Sequence, residues 1–322
     1  MKRKLLLVLS GLFLTTTGFF IGQNFNNTSK TSFIESRHQG EYKYINPLLE
    51  CDAASFSQNV ALDHLKKNTI DTIDKLKKTN KISLASVYYR DLNEGPWTGI
   101  NEKEDFSPAS LVKVPLMIAY FKAAETNPDI LKQKIPVDPT YVNEQSIIPI
   151  VTLSPNQEYT VDELIARMII YSDNQSYELL QKNIDNNIIV HTYTDLGIDI
   201  TKAYSDPYSN FISVKSYAAF FRVLYNASYL NQQFSEKALN LLSQIKYTDG
   251  LVKGINNPQI IVSHKFGERT YLETGEKQLH DCGIVYVPDN PYLVCIMTRG
   301  NDFSKLSSSI AEISKTIYQS DR

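Results

Sequence analysis

The amino-acid sequence predicts a mixed α/β (α+β) fold, in which helices flank one antiparallel sheet and a helical subdomain is inserted between its strands. Strand-like runs occur near both ends of the chain, KISLASVYYRDL and WTGIN within 81–101 and QIIVSHKFG and CGIVYVPDNPYLVCIMT within 259–298. The residues between them, about 108–247, are dominated by helical patterns. Because a sheet must bury its apolar faces, we expect helices to cover it and a cleft to form beside the insertion.

Each predicted element has a local signal. Ala61–Lys78 places apolar residues at helical spacing with lysines opposite, and Lys305–Ser320 closes the chain as a second amphipathic helix. Within the insertion, Thr160 and Glu163 have the spacing of a capping box at the start of a helix. Two further helices are predicted in VKSYAAFFRVLYNASYL and SEKALNLLSQI, and the PDNP turn makes a hairpin of the last two strands.

The N-terminus predicts export from the cytoplasm. Three positive charges in Met1–Lys4 precede an uncharged apolar run at 5–22, which is typical of a signal peptide or an N-terminal membrane anchor within 1–24. Both alternatives place the rest of the chain outside the cytoplasm, secreted or tethered to the membrane. Residues 25–54 are predicted as a polar linker and 55–322 as the folded domain.

Charge, histidines and cysteines exclude several kinds of site. The net charge is −2 and no basic patch follows the N-terminus, so we expect no nucleic-acid partner. The five histidines lack metal-ligand spacing, and we expect neither a metal nor another cofactor. The three cysteines cannot form a closed disulfide framework. Cys282 and Cys295 lie in apolar strands and are interpreted as small buried hydrophobes, although one disulfide among the three remains open.

The first candidate for chemistry is SPASLVK, in which Ser110 precedes Lys113 by three residues. Ser107 and Pro108 have the pattern of an N-cap followed by proline at the first helical position, which places Ser110 in the first helical turn. Side chains three residues apart share a helix face, so Lys113 could activate Ser110 as a nucleophile. The spacing alone is weak, because the chain repeats it at Ser243-Gln-Ile-Lys.

Two further motifs have ordinary structural interpretations when taken singly. Ser172-Asp173-Asn174 lies between two helical patterns, where these residue types favour caps, although Ser172 could also relay a proton and Asn174 could position an amide. Lys265 and Gly267 lie on an apolar strand. A strand lysine is usually solvated, but this pair could supply a fixed charge and an open edge for an extended substrate.

Taken together and in this order, the three motifs resemble the signature of class A β-lactamases and penicillin-binding proteins. Similar segments, among them YTVDELIARMIIYSDN and TDGLVKGI, extend the resemblance over about 63–318. It implies a β-lactamase/transpeptidase-like fold and an active-site serine hydrolase. The substrates it implies are β-lactams or the D-alanyl-D-alanine ends of peptidoglycan peptides.

The resemblance also implies a role for each motif residue. Ser110 corresponds to the acylated nucleophile and Lys113 to the neighbouring base. Ser172 would pass a proton to the leaving nitrogen, Asn174 would bind the substrate side-chain amide, and Lys265 would supply a positive field for the substrate carboxylate. The third motif, which ends at Gly267, would place the backbone N–H of Glu268 with that of Ser110 in the oxyanion hole.

Two departures from the family pattern bear on function. Phe266 stands where the third motif has Thr or Ser, which removes a hydroxyl that binds the substrate carboxylate, and strand alternation predicts that its ring narrows the cleft. The segment 196–213 lacks the Glu-x-x-Leu-Asn pattern whose glutamate activates the deacylating water. Asp206 is the remaining candidate there for deacylation. The alternatives are therefore a β-lactam hydrolase with doubtful turnover, a D,D-peptidase or related cell-wall hydrolase, and a covalent β-lactam sensor or non-catalytic binding domain.

Overall fold

A computed structural model describes residues 35–37, 42–51, 60–137, 147–148, 152–206 and 209–320. The predicted leader at 1–24 lies outside these residues, as does the predicted linker apart from 35–37 and 42–51. In the part of the chain that is described, no helix is both long and apolar enough to cross a membrane.

The described strands and helices alternate along the chain in blocks. The strands are β1 (Glu35–Arg37), β2 (Leu48–Cys51), β3 (Leu84–Asp91), β4 (Trp97–Ile100), β5 (Lys134–Pro136), β6 (Glu158–Thr160), β7 (Ile261–Thr270), β8 (Lys277–Tyr286) and β9 (Tyr292–Gly300). The α-helices are α1 (Val60–Lys78), α2 (Lys113–Thr126), α3 (Val161–Ile170), α4 (Asn174–Lys182), α5 (Asn186–Thr194), α6 (Thr201–Ser205), α7 (Val214–Tyr225), α8 (Gln232–Leu242), α9 (Leu251–Ile255) and α10 (Phe303–Ser320). Short 3₁₀ helices occupy Ala109–Val112 and Pro128–Lys132.

The main sheet has five antiparallel strands in the order β4-β3-β9-β8-β7. Strand β9 lies at its centre and is buried on both faces over most of its length. The side chains of β9 alternate between two apolar clusters. Val294 and Ile296 belong to one cluster, and Cys295 and Met297 belong to the other. Strand β7 is an edge strand, paired only with β8 among the described strands, and its free edge faces the helical insertion.

Helices cover both faces of this sheet, which confirms the predicted fold class. The terminal helices α1 and α10 pack together on one face, where the Thr72 and Thr316 hydroxyls are hydrogen-bonded at 3.0 Å. The inserted helices cover the other face. The predicted capping box is present at the start of α3, since Thr160 Oγ1 accepts from the Glu163 N–H at 3.2 Å and Glu163 Oε2 accepts from the Thr160 N–H at 2.8 Å. The insertion is not entirely helical, because β5 and β6 pair within it.

Part of the predicted linker is packed onto the domain. Tyr44 and Ile45 are buried in the larger apolar cluster. The Glu236 carboxylate on α8 accepts hydrogen bonds from the backbone N–H groups of Lys43, Tyr44 and Ile45 at 2.9, 2.9 and 3.0 Å. Within the predicted linker 25–54, residues 43–45 are therefore held against the domain by two apolar side chains and one distant carboxylate.

Cys282 and Cys295 are joined by a disulfide across β8 and β9. The two residues are directly paired in the strand register and both are fully buried. The interpretation of both cysteines as free small hydrophobes is therefore corrected, although their predicted burial is confirmed. Two apolar strands that form adjacent limbs of a hairpin bring the sulfurs together, which their spacing in the sequence alone does not show.

Candidate active site

Ser110 lies in the 3₁₀ turn Ala109–Val112, immediately before α2 begins at Lys113. The predicted N-cap role of Ser107 is wrong: its hydroxyl is buried and has no hydrogen-bond partner among the described residues. Its backbone is instead fixed by β8, since the Ser107 N–H donates to Gln278 Oε1 at 3.1 Å and the Ser107 carbonyl lies 3.0 Å from His280 Nε2. Ala109 has φ +47°, a left-handed conformation that is unfavourable for alanine, directly before the candidate nucleophile.

Lys113 is the centre of the polar cluster. Its Nζ lies 3.0 Å from Ser110 Oγ, as the three-residue spacing predicts. It also lies 2.6 Å from the Ser172 carbonyl oxygen, 3.0 Å from Ser172 Oγ and 2.5 Å from Asn174 Oδ1. The side chain is almost completely buried. The first two motifs, some sixty residues apart in the chain, are thus brought together on one nitrogen.

Burial of the Lys113 ammonium lowers its pKa from 10.5 to about 7, against the opposing effect of the negative charges on Asp173 and Glu268. A substantial fraction of the side chain is therefore neutral near pH 7. A neutral amine has two hydrogens, and the Ser172 carbonyl and Asn174 Oδ1 are acceptors suitably placed for both. Its lone pair is then available to accept the hydrogen of a hydroxyl group, and Ser110 Oγ lies within reach.

Ser172 connects the two lysines of the first and third motifs. Its Oγ lies 3.0 Å from Lys113 Nζ and 2.9 Å from Lys265 Nζ. The residue joins the end of α3 to α4 with φ +53°, a left-handed conformation that is costly for serine, and its side chain is fully buried. The next residue, Asp173, caps α4 by accepting from the Gln175 N–H at 3.1 Å. The cap interpretation therefore holds for Asp173, while Ser172 contacts both lysines.

Lys265 is fully buried and is not among the described residues that line the cleft. Its Nζ donates to Ser172 Oγ and to the Phe266 carbonyl, both at 2.9 Å. Burial lowers its pKa well below 10.5, and the nearby charge of Lys113 lowers it further. The structure therefore places Lys265 behind Ser172, where it polarises that hydroxyl; the positive field for a substrate carboxylate, which the resemblance implies, stays a prediction.

The prediction that the Phe266 ring narrows the cleft is wrong. The ring is fully buried, with its centroid 4.5 Å from that of Tyr247 and 4.1 Å from Lys265 Nζ. Lys265 and Phe266 are neighbours on β7, and the Lys265 ammonium lies over the Phe266 ring. The ring therefore packs beneath the third motif instead of projecting into the space for substrate.

Gly267 allows β7 to approach the turn that carries Ser110. A Cβ at this position would lie 3.2 Å from the Leu111 nitrogen, which is tight, and 2.9 Å from the Pro108 carbonyl oxygen, which is closer than side chains ordinarily come. The following residue, Glu268, lines the same cleft as Ser110, and its Oε1 accepts from the Ile147 N–H at 3.3 Å. The two residues whose N–H groups are predicted to form the oxyanion hole therefore line one cleft.

The cleft beside Ser110 has a volume of about 1150 Å³, slightly above the roughly 300–1,000 Å³ of typical small-molecule sites. One side is apolar, and the polar groups lie around the motif residues. The apolar side is formed by Leu116, Ile189, Val190, Tyr193, Ile200, Ala203 and Phe211. The polar lining includes Ser110, Lys113, Asn174, Glu178, Gln181, Lys182, Asn186, Glu268 and Arg269. Among the described residues, no cluster of His, Cys, Asp or Glu has the arrangement of a metal site.

The acidic residues that line the cleft differ from the one predicted from the sequence. Asp206 is exposed at the end of α6 and is not one of the described residues that line the cleft. Glu178 does line the cleft, although the sequence analysis did not consider it. Its signal was present, because Glu178 follows Asn174 by four residues and such residues share a helix face.

A profile of the beta-lactamase enzyme family matches residues 67–320, which is most of the chain. The chain belongs to this family. The resemblance based on the three motifs is therefore confirmed. A search of curated protein sequences finds no significant match.

Solved structures of class A beta-lactamases and of PBP-A share the fold. A beta-lactamase from Sphaerobacter thermophilus has a TM-score of 0.69 at 20% identity, over 79% of this chain and 97% of that chain. A mutant of PBP-A, solved as its acyl-enzyme complex with penicillin G, has a TM-score of 0.65 at 20% identity, over 79% and 96%. A class A beta-lactamase from Bacteroides cellulosilyticus has a TM-score of 0.64 at 19% identity, over 80% and 98%. These likenesses establish the fold and, with the family match, a hydrolase of this superfamily.

Proposed function

We propose that the protein is an active-site-serine hydrolase that β-lactams acylate at Ser110. The observation that carries the proposal is the environment of Lys113 Nζ, which lies 3.0 Å from Ser110 Oγ and has a pKa near 7. A lysine with this pKa acts as a general base at neutral pH, whereas an ordinary lysine is protonated. One of the similar structures is an acyl-enzyme with penicillin G, which supports a β-lactam as the acyl donor.

The geometry supports a simple sequence of proton transfers. Ser110 Oγ attacks the β-lactam carbonyl carbon while Lys113 Nζ takes its proton. As the ring C–N bond breaks, Ser172 Oγ gives its proton to the leaving nitrogen and is reprotonated from Lys113, 3.0 Å away. The N–H groups of Ser110 and Glu268 stabilise the oxyanion. Asn174 donates its amide N–H₂ to the substrate side chain, since its Oδ1 accepts from Lys113.

The second copy of the Ser-x-x-Lys spacing provides a matched control. The purified protein is mixed with a chromogenic cephalosporin, and the intact mass and absorbance are followed together. We expect one covalent equivalent on the unmodified protein and on Ser243→Ala, and none on Ser110→Ala, because the second pair lacks a buried lysine. The absence of both an adduct and cephalosporin turnover in the unmodified protein contradicts the proposal, and a D-alanyl-D-alanine peptide ester tested in parallel then distinguishes a cell-wall hydrolase from a non-catalytic domain.

The N-terminal charge pattern supports a location outside the cytoplasm, secreted or anchored to the membrane. This location is where β-lactams and cell-wall peptides meet such a hydrolase. Fractionation of cells that express the full chain, with a cytoplasmic marker as reference, tests it.

A further inference from the structure

We propose that Glu178 is the general base that activates the water for hydrolysis of the Ser110 acyl-enzyme, a role that rests on the proposed function. The family pattern places this carboxylate in the segment 196–213, which has no glutamate here. The carboxylates among the described residues that line the cleft are Glu178 and Glu268. The general base must be the one of these two side chains that can hold a water next to the acyl carbon of the ester.

Glu178 lines the cleft from helix α4, one turn after Asn174. Asn174, one turn earlier on the same helix face, contacts Lys113 Nζ at 2.5 Å, and that nitrogen lies 3.0 Å from Ser110 Oγ. Residues four apart on a helix have their Cβ atoms about 5–6 Å from each other. A glutamate side chain with one intervening water can span such a distance, so Asn174 and Glu178 are placed to hold a water beside the ester.

Glu268 is less suited to this role because of its place on β7. It follows Gly267 on the strand that carries one N–H of the predicted oxyanion hole. A base on that side would hold negative charge where the ester oxygen itself becomes negative, which opposes the reaction. Glu178 lies on the helical side of the cleft, so its charge is separated from that oxygen.

A lysine side chain lies next to the Glu178 carboxylate. Lys182, four residues further along α4, has its Nζ 3.5 Å from Glu178 Oε2, and the two side chains are 70% and 43% exposed. Such an exposed pair adds little stability, but it places a positive charge next to the carboxylate. The adjoining wall of Leu116, Ile189 and Val190 is apolar, so a water at that wall finds its hydrogen-bond partners at Asn174 and Glu178.

The hydrolytic step balances without any additional reactant. The water oxygen bonds to the acyl carbon while Glu178 takes one of the water hydrogens. The bond between the acyl carbon and Ser110 Oγ then breaks. The hydrogen held by Glu178 is returned to Ser110 Oγ through Lys113, so the products are the free acid and the original serine.

The test separates acylation from deacylation by following intact mass after a short pulse of the chromogenic cephalosporin. We expect Glu178→Gln to slow loss of the adduct by at least about 100-fold while the rate of acylation changes by less than about threefold. Glu94→Gln, an exposed glutamate in the turn between β3 and β4, is the matched control and should lose its adduct at the unmodified rate. Glu178→Asp should restore part of the rate.

A pH profile distinguishes a base from a residue that only supports the fold. The deacylation rate of the unmodified protein should fall at acidic pH as a carboxylate is protonated, and this acidic limb should disappear in Glu178→Gln. Adduct loss that is unchanged in Glu178→Gln, or slowed only in Glu268→Gln, overturns the inference. An adduct that the unmodified protein never releases also overturns it, while the absence of both adduct and cephalosporin turnover overturns the proposed function itself.

Discussion

At the residue scale, Lys113 and Lys246 follow a serine at the same spacing but lie in different surroundings. Lys113 is buried against Ser172 and Asn174, whereas Lys246 is exposed after α8. Burial disfavours the charged form of an amine, and this lowers the pKa of Lys113 to about 7. The same local sequence pattern therefore provides a base in one place and an ordinary surface lysine in the other.

The lowered pKa of Lys113 predicts how acylation depends on pH. The neutral amine is the active form, so the acylation rate should rise about tenfold per pH unit below 7 and level off above it. Stopped-flow absorbance with a chromogenic cephalosporin measures this rate. Lys113→Arg, which stays protonated, should slow acylation by at least about 100-fold at every pH. A rate that is still rising at pH 9, as for an exposed lysine, contradicts the assignment.

At the scale of elements, the contact between β7 and the 3₁₀ turn decides whether the third motif reaches the nucleophile. Gly267→Ala places a Cβ 2.9 Å from the Pro108 carbonyl oxygen. Since that neighbour is backbone, the strand or the turn must move. We expect the free energy of unfolding to fall by about 1–3 kcal/mol and acylation to slow by at least about tenfold.

Urea denaturation and adduct formation measure these two effects. Thr270→Ala, at the exposed end of the same strand, is the control that should leave both unchanged. A Gly267→Ala variant that reacts at the normal rate would show that β7 does not need this close approach.

The helices and strands were predictable where a short stretch of sequence contains the pattern that determines them. The capping box at Thr160, the amphipathic terminal helices and the hairpin of β8 and β9 all follow from spacing that short windows of sequence contain. The turn at Ser110 was not predictable in this way, because its conformation depends on Gln278 and His280 of a distant strand. The burial of Phe266 likewise depends on Tyr247, which no window around Phe266 contains.

The candidate site was predictable as a set of motifs but not as a geometry. Ser110, Lys113, Ser172 and Lys265 were named from sequence, and the structure brings their polar atoms into one connected cluster. The sequence does not show how deeply each side chain is buried. Burial lowers the pKa of Lys113 to about 7 and places Lys265 behind Ser172. Glu178 was not predicted because the family pattern places the deacylating glutamate in the segment 196–213, whereas Glu178 lies on the helix face of Asn174.

At the scale of the whole molecule, the site exists because the sheet is built from both ends of the chain. The helical insertion supplies Ser110, Lys113 and Ser172, while β7 supplies Lys265 and Gly267 from the later strands. Neither part alone contains a complete cluster. The contacts that hold the insertion against the sheet are therefore as necessary for the site as its own residues.

Residues 43–45 pack against α8 of the insertion, and this contact can be tested at Glu236. The carboxylate accepts the N–H groups of Lys43, Tyr44 and Ile45, and the last two residues are buried. Glu236→Ala leaves these donors without that acceptor and should lower the free energy of unfolding by about 1–3 kcal/mol, measured by urea denaturation. Glu236→Gln, which keeps one acceptor oxygen, should lose less.

The same variants show whether this segment supports the site or only the fold. Ser110 contacts Lys113, and the turn before it is held by Gln278 and His280 of β8. Acylation of the folded Glu236→Ala protein should therefore stay within about threefold of normal. Unchanged stability in Glu236→Ala would mean that the segment is held by Tyr44 and Ile45 alone. A large loss of acylation in protein that is still folded would instead mean that the segment positions the insertion, and with it the nucleophile.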